Sequence, residues 1–205
     1  DYAQAHNNMG NALKDKGDLE AAIESYKQAL RIKPDYAQAY NNMGNALKDK
    51  GDLEAAIESF KQALKIKPYY ADAYSNMGSA LKDKGDLEAA IKSYKQALKI
   101  KPDFAQAYNN MGLVLEDKGD LEAAIQSYKQ ALQIKPDYVD VYCSLLRSPT
   151  GLLQPQTLEY LEKTFLRIFK TNENSIIAKF ARANLLRHQR KTDLSFKLFC
   201  EANKL

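Results

Sequence analysis

A 34-residue unit recurs four times in this chain without insertion or deletion, beginning at Asp1, Asp35, Tyr69 and Asp103. The first two copies differ only at His6/Tyr40, Tyr26/Phe60 and Arg31/Lys65. No other feature constrains the fold as tightly. A unit this short cannot bury its own apolar face, so it buries that face against its neighbours and the result is a stacked array. Such an array presents a long surface for grasping a partner.

Apolar residues make up 45% of the chain, enough for a continuous core, and tryptophan is absent. Alanine, leucine, lysine, glutamine and glutamate dominate, so the expected class is all-α. No stretch approaches the ~20 apolar residues of a membrane span, and no membrane partner is expected. No secretory signal opens the chain, although Asp1 falls on a repeat boundary and reads as a cut end. Cys143 and Cys200 form no metal-ligand pattern. They read as two buried free thiols, in keeping with a reducing, cytoplasmic compartment.

Charge is uneven. Residues 1–136 hold 19 Lys+Arg and 19 Asp+Glu, while residues 137–205 hold 11 and 7, so the whole net charge of +4 lies in the tail. That is too weak a bias for a nucleic-acid partner. The short run Arg187, His188, Gln189, Arg190, Lys191 lacks interleaved aromatics and reads as a solvated helix end.

Each repeat reads as two helices. In the second copy, Asp35 follows Pro34 and is placed to cap a helix starting near Tyr36. Tyr40, Met43, Gly44 and Leu47 then share one helical face. Gly51 stands where a left-handed C-cap belongs. Asp52 caps a second helix with Leu53, Ala56, Ile57, Phe60, Ala63 and Leu64 along its apolar face, and Pro68 closes the repeat. Gly44 in a helix interior costs ~1 kcal/mol against alanine. Its return as Gly10, Gly78 and Gly112 predicts a close helix contact that offsets this.

These positions carry a family resemblance. Tyr40, Met43, Gly44, Leu47, Ala56, Phe60, Ala63 and Pro68 recur as Tyr74, Met77, Gly78, Leu81, Ala90, Tyr94, Ala97 and Pro102, and again from Tyr108 to Pro136, with His6 replacing the aromatic in the first copy. The pattern resembles the tetratricopeptide repeat family over residues 1–136, as four regular repeats at 1–34, 35–68, 69–102 and 103–136. The resemblance implies a right-handed superhelical solenoid of antiparallel helix pairs, with first helices lining a concave surface.

The tail, residues 137–205, departs from the pattern and is expected to cap the array. Asp137 to Leu146 begin a fifth unit with Tyr142 in the aromatic slot, and Ser148, Pro149, Thr150 and Gly151 interrupt it. The spacing predicts a loop over 147–154. A helix follows from Pro155 to about Lys170, with Leu158, Leu161, Phe165, Ile168 and Phe169 inward. Further helices are expected over 175–189 and 193–204. Ala183, Leu186, Ser195, Phe199 and Ala202 keep the relative spacing of a degenerate sixth repeat.

The candidate site is a polar stripe on each first helix, opposite the core. It holds Gln4, Asn7, Asn8 and Asn11 in the first copy, and Gln38, Asn41, Asn42 and Asn45 in the second. Asn76, Asn109 and Asn110 continue it. Asn8, Asn42, Asn76 and Asn110 recur once per repeat, which stacks them into a ladder. An asparagine side chain offers one acceptor and two donors, so a row can pair with the backbone of an extended protein or peptide segment. Tolerated surface residues copied by duplication are the alternative. The ladder resembles the asparagine-lined groove of O-linked N-acetylglucosamine transferases. Repeats of this family that hold the C-terminal carboxylate of heat-shock chaperones use Lys and Arg at positions occupied here by Asn7, Asn41, Ser75, Asn109, Gln4, Gln38, Asp72 and Gln106. None of these is basic, so that route lacks a charge-assisted bond. Lys14, Lys48 and Lys82 are each followed by Asp and read as solvated intrahelical charge. Leu113 stands where the second copy has Asn45, which suggests that something covers it.

Catalysis finds no support in the motifs. The two histidines, His6 and His188, lie in different units, and no phosphate-binding, dinucleotide, zinc-protease or nucleophile-elbow run appears. The chain is not expected to be an enzyme or to need a cofactor. The ending from Ser195 to Leu205 resembles the helix preceding the catalytic domain in bacterial tetratricopeptide–sulfotransferase fusions. A substrate-recruiting piece of a larger transferase is therefore the alternative to a free-standing scaffold. End-to-end self-association stays open, because an array offers apolar end faces.

Overall fold

The computed structural model describes residues 2–149, 151–168, 176–191, 194, 195, 197, 198 and 202. Among these lie eleven α-helices and no strand. The repeats supply α1 (Tyr2–Asp15) and α2 (Leu19–Ile32), α3 (Ala37–Lys50) and α4 (Leu53–Ile66), α5 (Ala71–Asp83) and α6 (Leu87–Ile100), then α7 (Ala105–Asp117) and α8 (Leu121–Ile134). Next come α9 (Val139–Arg147), α10 (Pro155–Ile168) and α11 (Ile176–His188). The chain forms two compact units, Asp1–Lys118 and Gly119–Leu205. Their division falls in the turn between the two helices of the fourth repeat.

In the first unit, the turn inside each repeat follows its sequence. Gly51 takes φ +91° as the left-handed C-cap of α3. Its N–H bonds to the Lys48 carbonyl at 2.9 Å, and the Asp52 N–H reaches back to the Leu47 carbonyl at 2.9 Å. The Asp52 carboxylate then accepts from the Ala55 N–H at 3.1 Å and opens α4. Asp18 and Asp86 cap α2 and α6 in the same way.

The turn between repeats corrects the expectation for Asp35. The first helices begin one residue later, and the N-cap of α3 is Tyr36, which makes no side-chain cap bond. The Tyr36 N–H bonds to the Lys33 carbonyl at 3.2 Å, closing a turn with Pro34 and Asp35 at its corner. Proline presets that corner, so Asp35 is used up in the turn. The Lys33 ammonium lies 5.2 Å over the Tyr36 ring, and Lys67 over Tyr70 and Lys101 over Phe104 repeat the contact at 4.5 and 4.8 Å.

The core explains the helical glycines. Tyr26, Phe60 and Tyr94 are fully buried or nearly so. A Cβ on Gly44 would stand 2.7 Å from the Phe60 ring, and Gly10 and Gly78 meet Tyr26 and Tyr94 equally closely. Each aromatic ring therefore lies directly against a first helix that has no side chain at that point. Burying one such ring contributes roughly 1.5–3 kcal/mol, more than the ~1 kcal/mol propensity cost of the glycine.

In the first unit α2, α4 and α6 each pack on their own first helix and on that of the following repeat. The first helices also touch one another directly, α1 to α3, α3 to α5 and α5 to α7. They form one wall of this unit. Ion pairs join adjacent repeats along its edges: Lys50 to Glu20 at 3.1 Å, Lys84 to Glu54 at 3.0 Å and Lys118 to Glu88 at 3.1 Å.

In the second unit, α9 packs on α8 and α11, and α10 packs on α11. Tyr142 occupies the aromatic slot fully buried, and its hydroxyl donates to the Leu161 carbonyl at 2.9 Å. The loop and the start of α10 at Pro155 lie where the sequence places them. Leu161 and Phe165 are buried and Leu158 is half-buried. Ala183, Leu186, Ser195 and Ala202 are buried, and the Ser195 hydroxyl donates to the Ala183 carbonyl at 2.8 Å. Phe169, Lys170, Phe199, Cys200 and most of the expected last helix lie outside the described residues.

The basic run at the end of α11 is not a solvated helix end. His188 is buried and its Nε2 lies 3.0 Å from the Leu146 carbonyl. Arg187 donates to the carbonyls of Leu146 and Ser148 at 3.0 and 3.3 Å. Both side chains satisfy carbonyls left open at the end of α9. Only Arg190 and Lys191 are exposed. No helix among the described residues is long and apolar enough to cross a membrane.

Candidate peptide-binding wall

The stripe splits into two layers. Asn7, Asn41 and Asn109 are buried, with 0, 5 and 6% of their surface exposed. They do not face solvent as expected; for Asn7 and Asn41 the first helix of the next repeat packs against that side. Gln4, Asn8 and Gln38 are exposed, while Asn11, Asn42, Asn45, Asn76 and Asn110 are half-buried. Leu113 is half-buried too.

The buried amides hold the outer ones in register. Asn42 Nδ2 donates to Asn7 Oδ1 at 3.0 Å and to Asn11 Oδ1 at 3.1 Å. Asn76 Nδ2 donates to Asn41 Oδ1 at 3.0 Å, one repeat further on. Within a helix, Gln4 donates to Asn8 and Gln106 to Asn110 at 3.0 and 2.9 Å. The Tyr36 hydroxyl donates to Gln4 Oε1. Both donors of Asn42 are thus engaged, and the ladder is first a seam between helices.

The aromatic slot completes the seam. The Tyr26 hydroxyl donates to Asn11 Oδ1 at 2.8 Å. Burial, reinforced by Asp15, pushes the Tyr26 phenol up to about 12. Burial likewise raises Tyr94, against the opposing hydrogen bonds of Ser79 and Asn110. Both phenols therefore stay protonated, and Tyr26 serves as a donor. The second repeat breaks this rule. Phe60 has no hydroxyl, and Asn45 has no partner among the described residues. The sequence shows the Tyr26/Phe60 difference, yet nothing in it says which amide loses its donor.

The lysines of this wall bridge repeats instead of standing within one helix. Lys14 lies 4.0 Å from Asp49 and Lys82 lies 3.6 Å from Asp117. Lys48 donates to the Ser79 hydroxyl at 3.4 Å. The wall is polar and close to neutral, which suits the dipoles of a peptide backbone more than a charged end group.

Among the described residues no three His, Cys, Asp or Glu side chains stand together as metal ligands. His6 is half-buried on α1, far in sequence from His188. Cys143 is a half-buried free thiol that burial pushes up, away from the reactive thiolate. In the second unit a cleft of about 280 Å³ is lined by Lys129, Gln133, Gln154, Thr157 and Tyr160, none of which is paired as acid and base.

The family signature described as "TPR repeat" matches residues 10–51, 44–85 and 78–119, and that described as "Tetratricopeptide repeat" matches 105–138. The chain belongs to the tetratricopeptide repeat family. Repeats of this family commonly bind proteins or peptides, and its members are typically scaffolds without catalysis. A crystal structure of MamA is 29% identical, with a TM-score of 0.70 over 80% of this chain and 96% of that one. MamA from Desulfovibrio magneticus RS-1 shares 21% identity and a TM-score of 0.65 over 94% of this chain and 98% of that one. A structure of pilF from Pseudomonas aeruginosa shares 17% identity and a TM-score of 0.78, covering 99% of this chain and 91% of that one. The last two likenesses concern the fold alone. No curated protein matches the chain in sequence.

Proposed function

We propose that this tetratricopeptide array is a scaffold that holds an extended protein or peptide segment along the first-helix wall of residues 2–118. Asn8, Gln38, Asn45, Asn76 and Asn110 contact the segment, and Asn7, Asn41 and Asn109 act from beneath as positioning residues. The observation that carries this reading is Asn45, an amide with both donors and its acceptor open, beside amides locked at repeat spacing by Asn42 and Asn76. An open amide on a neutral wall pairs with backbone N–H and C=O groups with little regard for side chains. Affinity then builds from several repeats, each contributing weakly. In this reading the chain performs no catalysis, binds no nucleic acid and works in the cytoplasm, where the Cys143 thiol stays reduced.

Peptides selected from a random display library against the intact protein test the idea. Asn8→Ala, Gln38→Ala and Asn45→Ala remove groups that support no described inter-repeat bond, so the fold survives them. Combined, they should weaken the selected peptides by about tenfold or more, at ~0.5–1.5 kcal/mol per lost bond. Undiminished binding to the triple variant refutes the wall as the site.

A further inference from the structure

The face of the first unit opposite the asparagine wall carries a second site. A cleft of about 730 Å³ opens between α4 and α6. Its floor is apolar: Ile57 from α4, with Tyr74, Met77 and Leu81 from α5. On α5 these three stand on the side away from Asn76 and Ser79, so the cleft and the wall use opposite faces of the same helix.

The rim is basic. Lys61, Lys84 and Lys92 line it, against Asp86 alone. The Asp86 carboxylate is occupied in capping α6, and Lys84 is paired with Glu54 at 3.0 Å. Lys61 and Lys92 have no ion-pair partner among the described residues.

The repeats supply a control. Every residue lining this cleft has an identical counterpart 34 positions earlier, around α2, α3 and α4, with one exception. Where α6 has Lys92, α4 has Glu58. The ion pair also recurs, as Lys50 with Glu20. The two sets of residues therefore share one apolar pattern and differ by a single reversal of charge.

We propose that the α4–α6 cleft docks an acidic amphipathic helix, and that Lys92 selects it. Tyr74, Met77 and Leu81 follow helical spacing and span roughly 10 Å, the length of two turns of a docked helix. Met77 adapts to different apolar side chains. Lys61 on α4 and Lys92 on α6 flank the floor and meet acidic residues on either side of the partner's apolar edge. Such complementary charge sets partner choice and the rate of encounter.

The probe is a synthetic 18-residue helical peptide with leucines along one edge and glutamates beside them. It is titrated calorimetrically into the full chain and into Lys92→Glu and Glu58→Lys, both at exposed positions. The wild type should bind one peptide per chain. Lys92→Glu should weaken it by roughly tenfold, since one attraction becomes a repulsion. Glu58→Lys should raise the stoichiometry to two, because it rebuilds the same cleft one repeat earlier. Equal affinity in wild type and Lys92→Glu, absence of binding, or one site in Glu58→Lys overturns the proposal. So does undiminished binding of a peptide whose leucines are replaced by serine, which would assign the lysines to polyanions in general. Variants of the asparagine wall leave this titration unchanged, so each idea can fail without the other.

Discussion

Replacing Phe60 with tyrosine should stabilise the protein and close part of the proposed binding wall in one step. The slot already accepts a phenol. Tyr26 and Tyr94 occupy it in the flanking repeats, 0 and 1% exposed, and Phe60 is 0% exposed. In the first repeat the hydroxyl reaches Asn11 Oδ1 at 2.8 Å. The equivalent amide in the second repeat is Asn45, which lacks that donor. Phe60→Tyr adds one buried bond of ~0.5–1.5 kcal/mol net. For a chain of this size that raises Tm by roughly 2–4 °C. The urea midpoint should rise with an unchanged slope, since no further surface is exposed. The new phenol should ionise well above its ordinary value near ~10, as Tyr26 does, which tyrosinate absorbance reads directly. Peptide held at Asn45 should bind about fivefold more weakly, following from ~1 kcal/mol. Unchanged or lowered stability, or a phenol titrating near its ordinary value, refutes the pairing.

Three further outcomes follow from the packing. Gly44→Ala gains up to ~1 kcal/mol of helix propensity but drives a methyl into the Phe60 ring at 2.7 Å. Overpacking of ~1–3 kcal/mol should win, and a rise in Tm would contradict the close contact. Asp52→Ala removes the cap on the Ala55 N–H and should cost ~1 kcal/mol, whereas Asp35→Ala, at the corner of a turn, should cost much less; equal losses in urea melts would restore Asp35 as a cap. Burial holds the His188 imidazole below its usual range, with Arg187 adding to the effect and the Leu146 carbonyl opposing it. The unfolded chain therefore binds the proton first. Stability should be full above ~6.5 and fall as pH drops from there toward the folded value, then level off. His188→Gln should flatten that window, and identical pH profiles for the two proteins would remove His188 as its source.

The periodic elements were legible because their signals are local. Gly51, Asp52 and Pro68 act on their own backbone, and Gly44 announces a neighbour by lacking a side chain. The cap at Asp35 misled because proline before it offers two readings, a helix start or a turn corner, and the Lys33 carbonyl chose the turn. The stripe was legible as polar but not as layered. Asn41 and Asn42 are adjacent and chemically identical, and only the approach of the next repeat buries one and half-exposes the other. Arg187 and His188 misled for a related reason. They look like surface charge in sequence, yet the open carbonyls they serve belong to α9, some forty positions away.

The amide seam has an arrow. In its amide links between repeats, the donor comes from the later repeat and the acceptor from the earlier: Asn42 to Asn7 and Asn11, and Asn76 to Asn41, with Tyr36 to Gln4 alongside, while Lys48 to Ser79 runs the other way. Reversing the path of a strand laid along it would exchange every N–H for a C=O against the same fixed dipoles. In the proposed mode, a guest threaded amino end first would therefore not be equivalent to one threaded the other way, and the wall would read chain polarity before any side chain.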